Sequence, residues 1–217
     1  MKKTYNDSDW LIKILNQTGL SLPDLRDEVQ FLIWEDQFDN NHLSTVVVAH
    51  NVCDKLIKWS SIKVGSFGSI TAAPSSFPVI GSIGASVCTT TIDVAYLIRS
   101  QIELCYAISA VFDTDISEEK LKAITLALID YDKNNDVLAD IAKTSFKSLI
   151  NGLATKYLKK GIERVAPDIA QKLMSRMLNR ISAKWVPFIS IPVNAALNIS
   201  DIRKTGNRAI SYFQLNN

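Results

Sequence analysis

What this chain has little of narrows its chemistry first. It carries three cysteines in 217 residues, Cys53, Cys88 and Cys105, an odd number set among apolar neighbours without paired spacing, which argues against a secreted disulfide framework. Its two histidines, His42 and His50, stand eight positions apart with no cysteine or carboxylate at ligand spacing, so no metal site is expected and His50 reads as a packing residue on a helix. No lysine of the phosphate-binding loop type follows a glycine run, and Gly65-Ser66-Phe67-Gly68 is not a nucleophile elbow. Without a nucleophile and base at workable spacing, no catalytic residue and no cofactor is expected. Alternating strand patterns are missing as well. The opening MKKTYNDSDW has no apolar core of the signal-peptide kind, and the expected compartment is the cytoplasm.

Charge is missing where it matters most. From Gly65 to Ile92 there are 28 residues and no charged side chain, and from Trp185 to Ser200 another 16. A spanning helix needs about 20 uninterrupted apolar residues, but Pro74 and Pro78 cut the first run. Between Pro78 and Asp93 only 14 residues remain, about 21 Å of helix, too short to cross comfortably. The expectation is a glycine- and serine-rich loop feeding an apolar helix, with Gly81, Gly84, Ala85 and Ser86 permitting close backbone approach. The second run repeats the design. Phe77-Pro78-Val79-Ile80-Gly81 matches Val186-Pro187-Phe188-Ile189-Ser190, and each is followed by an Asp (Asp93, Asp201), an Arg (Arg99, Arg203) and a Tyr (Tyr106, Tyr212). A duplicated helical hairpin would give this pattern.

Helical periodicity runs through the rest. Asp7 or Ser8 caps a helix carrying Trp10, Leu11, Ile14 and Leu15 that stops at Gly19. Ser21-Leu22-Pro23-Asp24 opens a second, with Leu25, Val29, Leu32 and Ile33 on one face and a break at Asp39-Asn40-Asn41. Ser44 starts a third, with Val48, Val52, Leu56 and Trp59 in one strip and Ala49, Cys53 and Ile57 beside it, wide enough for a central helix. The fourth continues past Asp93 to about Phe112, and Glu118 and Glu119 open a fifth bearing Leu121, Ile124 and Leu128. Asp130 to Asp136 reads as a polar loop. Its Asp130, Asp132, Asn134 and Asp136 echo a calcium loop, but Asn135 replaces the glycine and Ile141 the closing glutamate, so a solvated connection is expected. A basic helix from about Val137 to Lys160, a break at Gly161 or Pro167, another helix to Lys184, the second uncharged loop and a last helix to Tyr212 complete the chain.

The charges are segregated. Asp7 to Asp39 carries net −6, Asp113 to Asp140 net −5 and Lys143 to Lys184 net +8, a polarised surface suited to charged partners. Lys172, Arg176, Arg180 and Lys184 recur every four residues beside the apolar strip Ile169, Leu173, Met177 and Ile181, and form a candidate site for an anionic surface. Trp185, Pro187 and Phe188 follow at once, a neighbourhood that favours lipid headgroups over nucleic acid. With Phe67, Phe77, Pro78, Val79 and Ile80 of the first uncharged run they are the candidate membrane-contact residues. Asp93, Arg99 and Glu103 interrupt an oily helix and form a candidate buried polar group, with Arg99 and Glu103 one turn apart.

Together, Phe77 to Gly84, Asp93, Arg99, Glu103 and Tyr106, the acid-rich turn at Glu118, and the closing Pro187, Asn194, Asn198, Ala209 and Tyr212 resemble the EcsC family of bacterial proteins over roughly residues 60 to 213. The family favours glycine where this chain has Ala107, and its glycines around the second proline are mostly missing here. The resemblance implies an α-helical, membrane-associated bacterial protein and supplies no catalytic residues.

The expected fold is all-α, a multi-helix bundle with two apolar helical hairpins containing proline and glycine. Residues 1–60 form an N-terminal helical segment and 61–217 an EcsC-like domain, the two making one compact unit. The leading expectation is a non-enzymatic protein, peripheral to the inner face of the membrane, that binds anionic lipid through the basic helix and the hairpin loops. A membrane-disrupting effector is its harsher form. The alternatives are a soluble interaction module, for instance one that binds and neutralises a partner through its acidic faces, and a lipid-handling enzyme; a protein partner or a homo-oligomer is a further expected possibility. Nucleic acid is not an expected partner.

Overall fold

The computed structural model describes residues 10–16, 22–67, 89–112, 116–131, 143–182 and 190–214. Among them are eight helices and no strand: α1 (Trp10–Asn16), α2 (Leu22–Asp39), α3 (Thr45–Phe67), α4 (Thr89–Val111), α5 (Glu118–Asp130), α6 (Lys143–Lys160), α7 (Ile162–Ser182) and α8 (Ser190–Phe213). The fold is all-α.

A helix of seven residues such as α1 does not hold itself together in water; packing fixes it instead. Trp10, Leu11, Ile14 and Leu15 are all buried, against α7 and α4. α2 and α3 form an antiparallel pair joined by a short turn, in which Asn40 donates its backbone N–H to the Asp36 carbonyl (3.0 Å) and Leu43 donates to Asn40 (2.9 Å). α3 opens with the Val48 N–H on the Ser44 carbonyl at 3.0 Å and runs unbroken through Ser60 and Ser61. The register of the pair is set by the buried Asp36, which accepts from Lys55 Nζ at 2.8 Å and from Asn51 Nδ2 at 3.1 Å. The Lys55 hydrogen bond holds the Asp36 carboxyl below the usual carboxylate range and, reciprocally, pushes Lys55 up.

α3 also lies antiparallel to α8, and glycine lets the two backbones close up. A Cβ on Gly206 of α8 would come within 2.5 Å of Ile57 Cγ1, and one on Gly65 of α3 within 2.9 Å of Ile199 Cδ1. The buried strip of α3 is Val48, Val52, Cys53, Ile57 and Val64. It turns away from Trp59, which the spacing assigned to the apolar face and which is instead half exposed.

α4 is the centre. It packs against α1, α2, α3, α5, α7 and α8, and nearly every side chain from Val94 to Phe112 is buried. Its stretch Val94–Val111 is, among the described residues, the one long and apolar enough to cross a membrane, and 89% of it is buried inside the protein. α5 is almost as enclosed, buried from Ala123 to Asp130 and covered by α6, α7, α8 and α4.

The break in the basic region falls at Gly161, whose φ of 84° is the left-handed conformation that favours glycine. Pro167 lies inside α7 as its sixth residue, where its missing N–H gives up one intrahelical bond without ending the helix. Likewise the second uncharged segment is not loop throughout, because α8 begins at Ser190 and takes Pro192 into its first turn.

Candidate functional site

Two places combine exposure with organised chemistry. The first is the outer face of α2. Its core face carries Val29, Leu32 and Asp36, all buried. At about 100° per residue, positions 24, 27, 31, 34 and 38 fall on the opposite side in a continuous row: Asp24, Asp27, Phe31, Trp34, Phe38. Phe31, Trp34 and Phe38 are 59%, 59% and 73% exposed. The rings lean on one another along the helix, with centroids 5.9 Å apart for Phe31–Trp34 and 5.7 Å for Trp34–Phe38. Exposed Glu28, Glu35 and Asp39 border the row on one side. An aromatic row of this size on a solvent face is a common mark of an interaction site. Sequence reading followed the core periodicity of α2 and passed over this second row, whose three-four spacing was its available signal.

The second place is the C-terminal end of α5. The negative end of a helix dipole gathers cations, and here a carboxylate adds to it. Asp130 Oδ1 accepts from Lys172 Nζ at 2.8 Å and from Arg176 Nη2 at 3.1 Å; Oδ2 accepts from Tyr157 Oη at 2.9 Å. Arg176 also donates to the Asp130 carbonyl at 2.7 Å, and Arg208 of α8 donates to the Tyr131 carbonyl at 2.8 Å while lying 5.0 Å from the centre of the Tyr131 ring. Burial, with the Asp130 charge and hydrogen bond added, pushes the Tyr157 hydroxyl up, so it stays a donor. Asp130 is therefore a buried anchor rather than the first residue of a solvated loop. The nearly all-round apolar character of α5, which leaves its last residue no route to solvent, was the signal for that. Beside the cluster opens a cleft of about 360 Å³ between α4, α5, α7 and α8.

Of the four cations of the α7 row, Lys172 and Arg176 are thus paired with Asp130, Lys172 with half of its side chain still exposed. Arg180 is placed on α7 by its backbone, as Asp93 is on α4 and Phe67 at the end of α3. Phe77, Pro78, Val79, Ile80, Lys184, Trp185, Pro187 and Phe188 lie outside the described residues, as do the loops of both apolar hairpins. On α4, Arg99 Nε donates to Glu103 Oε1 at 2.8 Å, and Lys63 of α3 reaches Glu103 Oε2 at 3.6 Å. Asp93 stands ten positions before Glu103, about 15 Å along the axis of α4. His50 lies against Phe112, ring centroids 6.4 Å apart, and His42 is exposed.

Burial among apolar groups pushes the thiols of Cys53 and Cys105 up to about 12, which keeps them protonated and poor nucleophiles. No group of three His, Cys, Asp or Glu side chains stands together among the described residues. Comparison with protein-family models, with curated proteins and with solved structures gives no match.

Proposed function

We propose that this chain is a helical interaction module that docks a basic, amphipathic helix of a partner protein on the outer face of α2. The observation that carries this reading is the row Asp24, Asp27, Phe31, Trp34, Phe38, set opposite the core face and bordered by Glu28, Glu35 and Asp39. Three exposed rings offer an apolar patch of about 300 Å², and helix-in-groove partners read such rows at three- and four-residue steps. The acids select the occupant. Two copies of this face would set like charges against each other, and an anionic bilayer would repel it. A helix with leucines or aromatics on one side and lysines or arginines at its edges meets both demands.

Calorimetric titration with two synthetic 18-residue helices, one built of leucine and lysine and one of leucine and glutamate, tests this. The lysine helix is expected to bind, and Trp34→Ala or Phe38→Ala to weaken it about tenfold without lowering the melting temperature. Equal binding of both helices, or no effect of either substitution, would sink the reading.

A second reading has its own support. The uncharged segments, with Trp185, Pro187 and Phe188 beside the basic α7, resemble those of the EcsC family and suit a protein peripheral to an anionic membrane. Flotation with phosphatidylcholine vesicles, with and without phosphatidylglycerol and a trapped dye, separates the two. Flotation with the anionic vesicles alone, lost in Phe188→Asp and kept in Trp34→Ala, belongs to the membrane reading. Dye release would extend that to a disrupting effector. Protein remaining at the bottom with both vesicles removes it.

A further inference from the structure

Exposed apolar side chains are not spread evenly over this protein. Of the eight large ones that stand exposed among the described residues, seven belong to the α2–α3 hairpin: Phe31, Trp34 and Phe38 on α2, and Val46, Val47, Trp59 and Ile62 on α3. The eighth is Leu158. A single docked helix reads one row of such side chains and would leave the four of α3 in water. The two helices lie side by side, with the buried strip of α2 against α4 and that of α3 against α4 and α8, so both outer faces look away from the core. A partner two helices wide covers both.

The charges identify it. The exposed acids of α2 are Asp24, Asp27, Glu28, Glu35 and Asp39, against Arg26 alone. α3 is the opposite. Trp59 and Ile62 have Lys58 and Lys63 to either side and Lys55 one turn before, and Asp54 is the only acid of that helix. Lys58 is exposed; Lys55 and Lys63 hold Asp36 and Glu103 of their own chain and still keep 39% and 57% of their side chains in solvent. Thus α3 presents the aromatic, lysine-edged surface that suits the acidic row of α2. Within one chain the two rows cannot meet, because they are neighbours that both face outward.

We infer that the partner is a second copy of this chain, docked hairpin on hairpin about a two-fold axis, with the α2 row of each copy on the α3 face of the other. This rests on the docking reading of α2 and names its partner. A two-fold interface is self-complementary, so the acid-on-lysine contact is made twice. Pairing α2 with α2 and α3 with α3 would set like charges together. The seven side chains offer about 600 Å² of apolar surface per copy, at the small end of stable interfaces, and a dissociation constant of about 10 µM is expected.

Sedimentation equilibrium of the full chain from about 1 to about 200 µM, a range that brackets this constant, is the test. The dimer is expected to weaken at least about tenfold in Trp34→Ala, Trp59→Ala, Asp27→Lys and Lys58→Glu alike. All four positions are exposed, and melting at about 1 µM, where the chain is monomeric, reports whether each variant folds. An equimolar mixture of Asp27→Lys and Lys58→Glu is expected to return to within about threefold of wild type, because the mixed pair sets one native contact beside one with both signs exchanged. A monomer at about 200 µM, a dimer indifferent to Trp59→Ala and Lys58→Glu, or a mixture no better than its components overturns the inference. The leucine–lysine helix separates this outcome from that of the docking reading. If it binds a chain that stays monomeric, the docking reading stands and the dimer falls. If the dimer forms as described and the helix neither binds nor dissociates it, the dimer stands and docking of a foreign helix falls.

Discussion

Tyr157 donates its hydroxyl hydrogen to Asp130: Oη stands 2.9 Å from Oδ2 and joins α6 to the end of α5. Lys172 and Arg176 reach the same carboxylate from α7, so one buried side chain ties three helices together. The pattern puts the anion in charge of the cations.

Asp130→Ala is accordingly expected to lower stability by about 3 kcal/mol, since it strands partly buried donors as well as removing their bonds. Tyr157→Phe should cost about 1 kcal/mol, and Lys172→Ala less than about 1 kcal/mol because that side chain is half exposed. Urea unfolding of the three variants measures this. A Lys172→Ala loss equal to that of Asp130→Ala would show that the carboxylate does not organise the cluster.

Two glycines in helices should respond in opposite directions. Gly206→Ala drives a methyl into the stiff, branched stem of Ile57 and is expected to destabilise by about 1–3 kcal/mol even after the gain in helix propensity. Gly152 of α6 has nothing within 4 Å of an added Cβ, and Gly152→Ala should stabilise by about 0.5–1 kcal/mol. Thermal unfolding of the pair checks both signs, and a stabilising Gly206→Ala would contradict the close α3–α8 packing.

Alkaline pH should unfold the protein through its buried acids. Burial raises Cys53 and Cys105 to about 12, Tyr212 to about 12, and Tyr106 and Tyr157 as well. A raised pKa means the folded state holds its proton more tightly. The resulting stability is complete below the ordinary thiol value of 9.0 and tyrosine value of 10.0, and drains away as pH climbs through the folded values. Melting temperatures from pH 8 to pH 11 should fall with a slope that Tyr106→Phe and Cys105→Ala each reduce. A flat profile would contradict the burial.

The acid side has a different owner. The Asp36 carboxyl is lowered by its Lys55 hydrogen bond, so its contribution is present above the ordinary carboxylate value of 3.8 and is lost as pH falls through the lower folded value. Asp36→Asn should be less stable than wild type at pH 6, with the gap closing toward pH 2. Urea titrations at the two pH values would disprove the assignment if the gap stays constant.

Much of the architecture could be read from residue spacing because core helices repeat their apolar positions. Trp10, Leu11, Ile14 and Leu15 are the clearest instance, and the starts at Ser44 and Glu118 follow from the same local chemistry. Trp59 shows where spacing fails: a three-four pattern fits several faces of a wide apolar helix, and the contact with α8 selects the one through Cys53 and Ile57. Asp130 was hidden by its company, since Asp132, Asn134 and Asp136 give the segment the composition of a loop. The cleft was not legible at all. Gln101, Arg176 and Lys204 come from three separate helices, and nothing local in the sequence links them.

The central position of α4 bears on time as well as space. To lend Val94–Val111 to a bilayer, the protein would first have to strip away the six helices around it, which amounts to unfolding. The rate of any such insertion would then be the unfolding rate. Substitutions that loosen the fold away from the folding nucleus would hasten it, and a ligand held by the native state alone would slow it. The most apolar of the described helices is kept from lipid by a clock set by the stability of the fold around it.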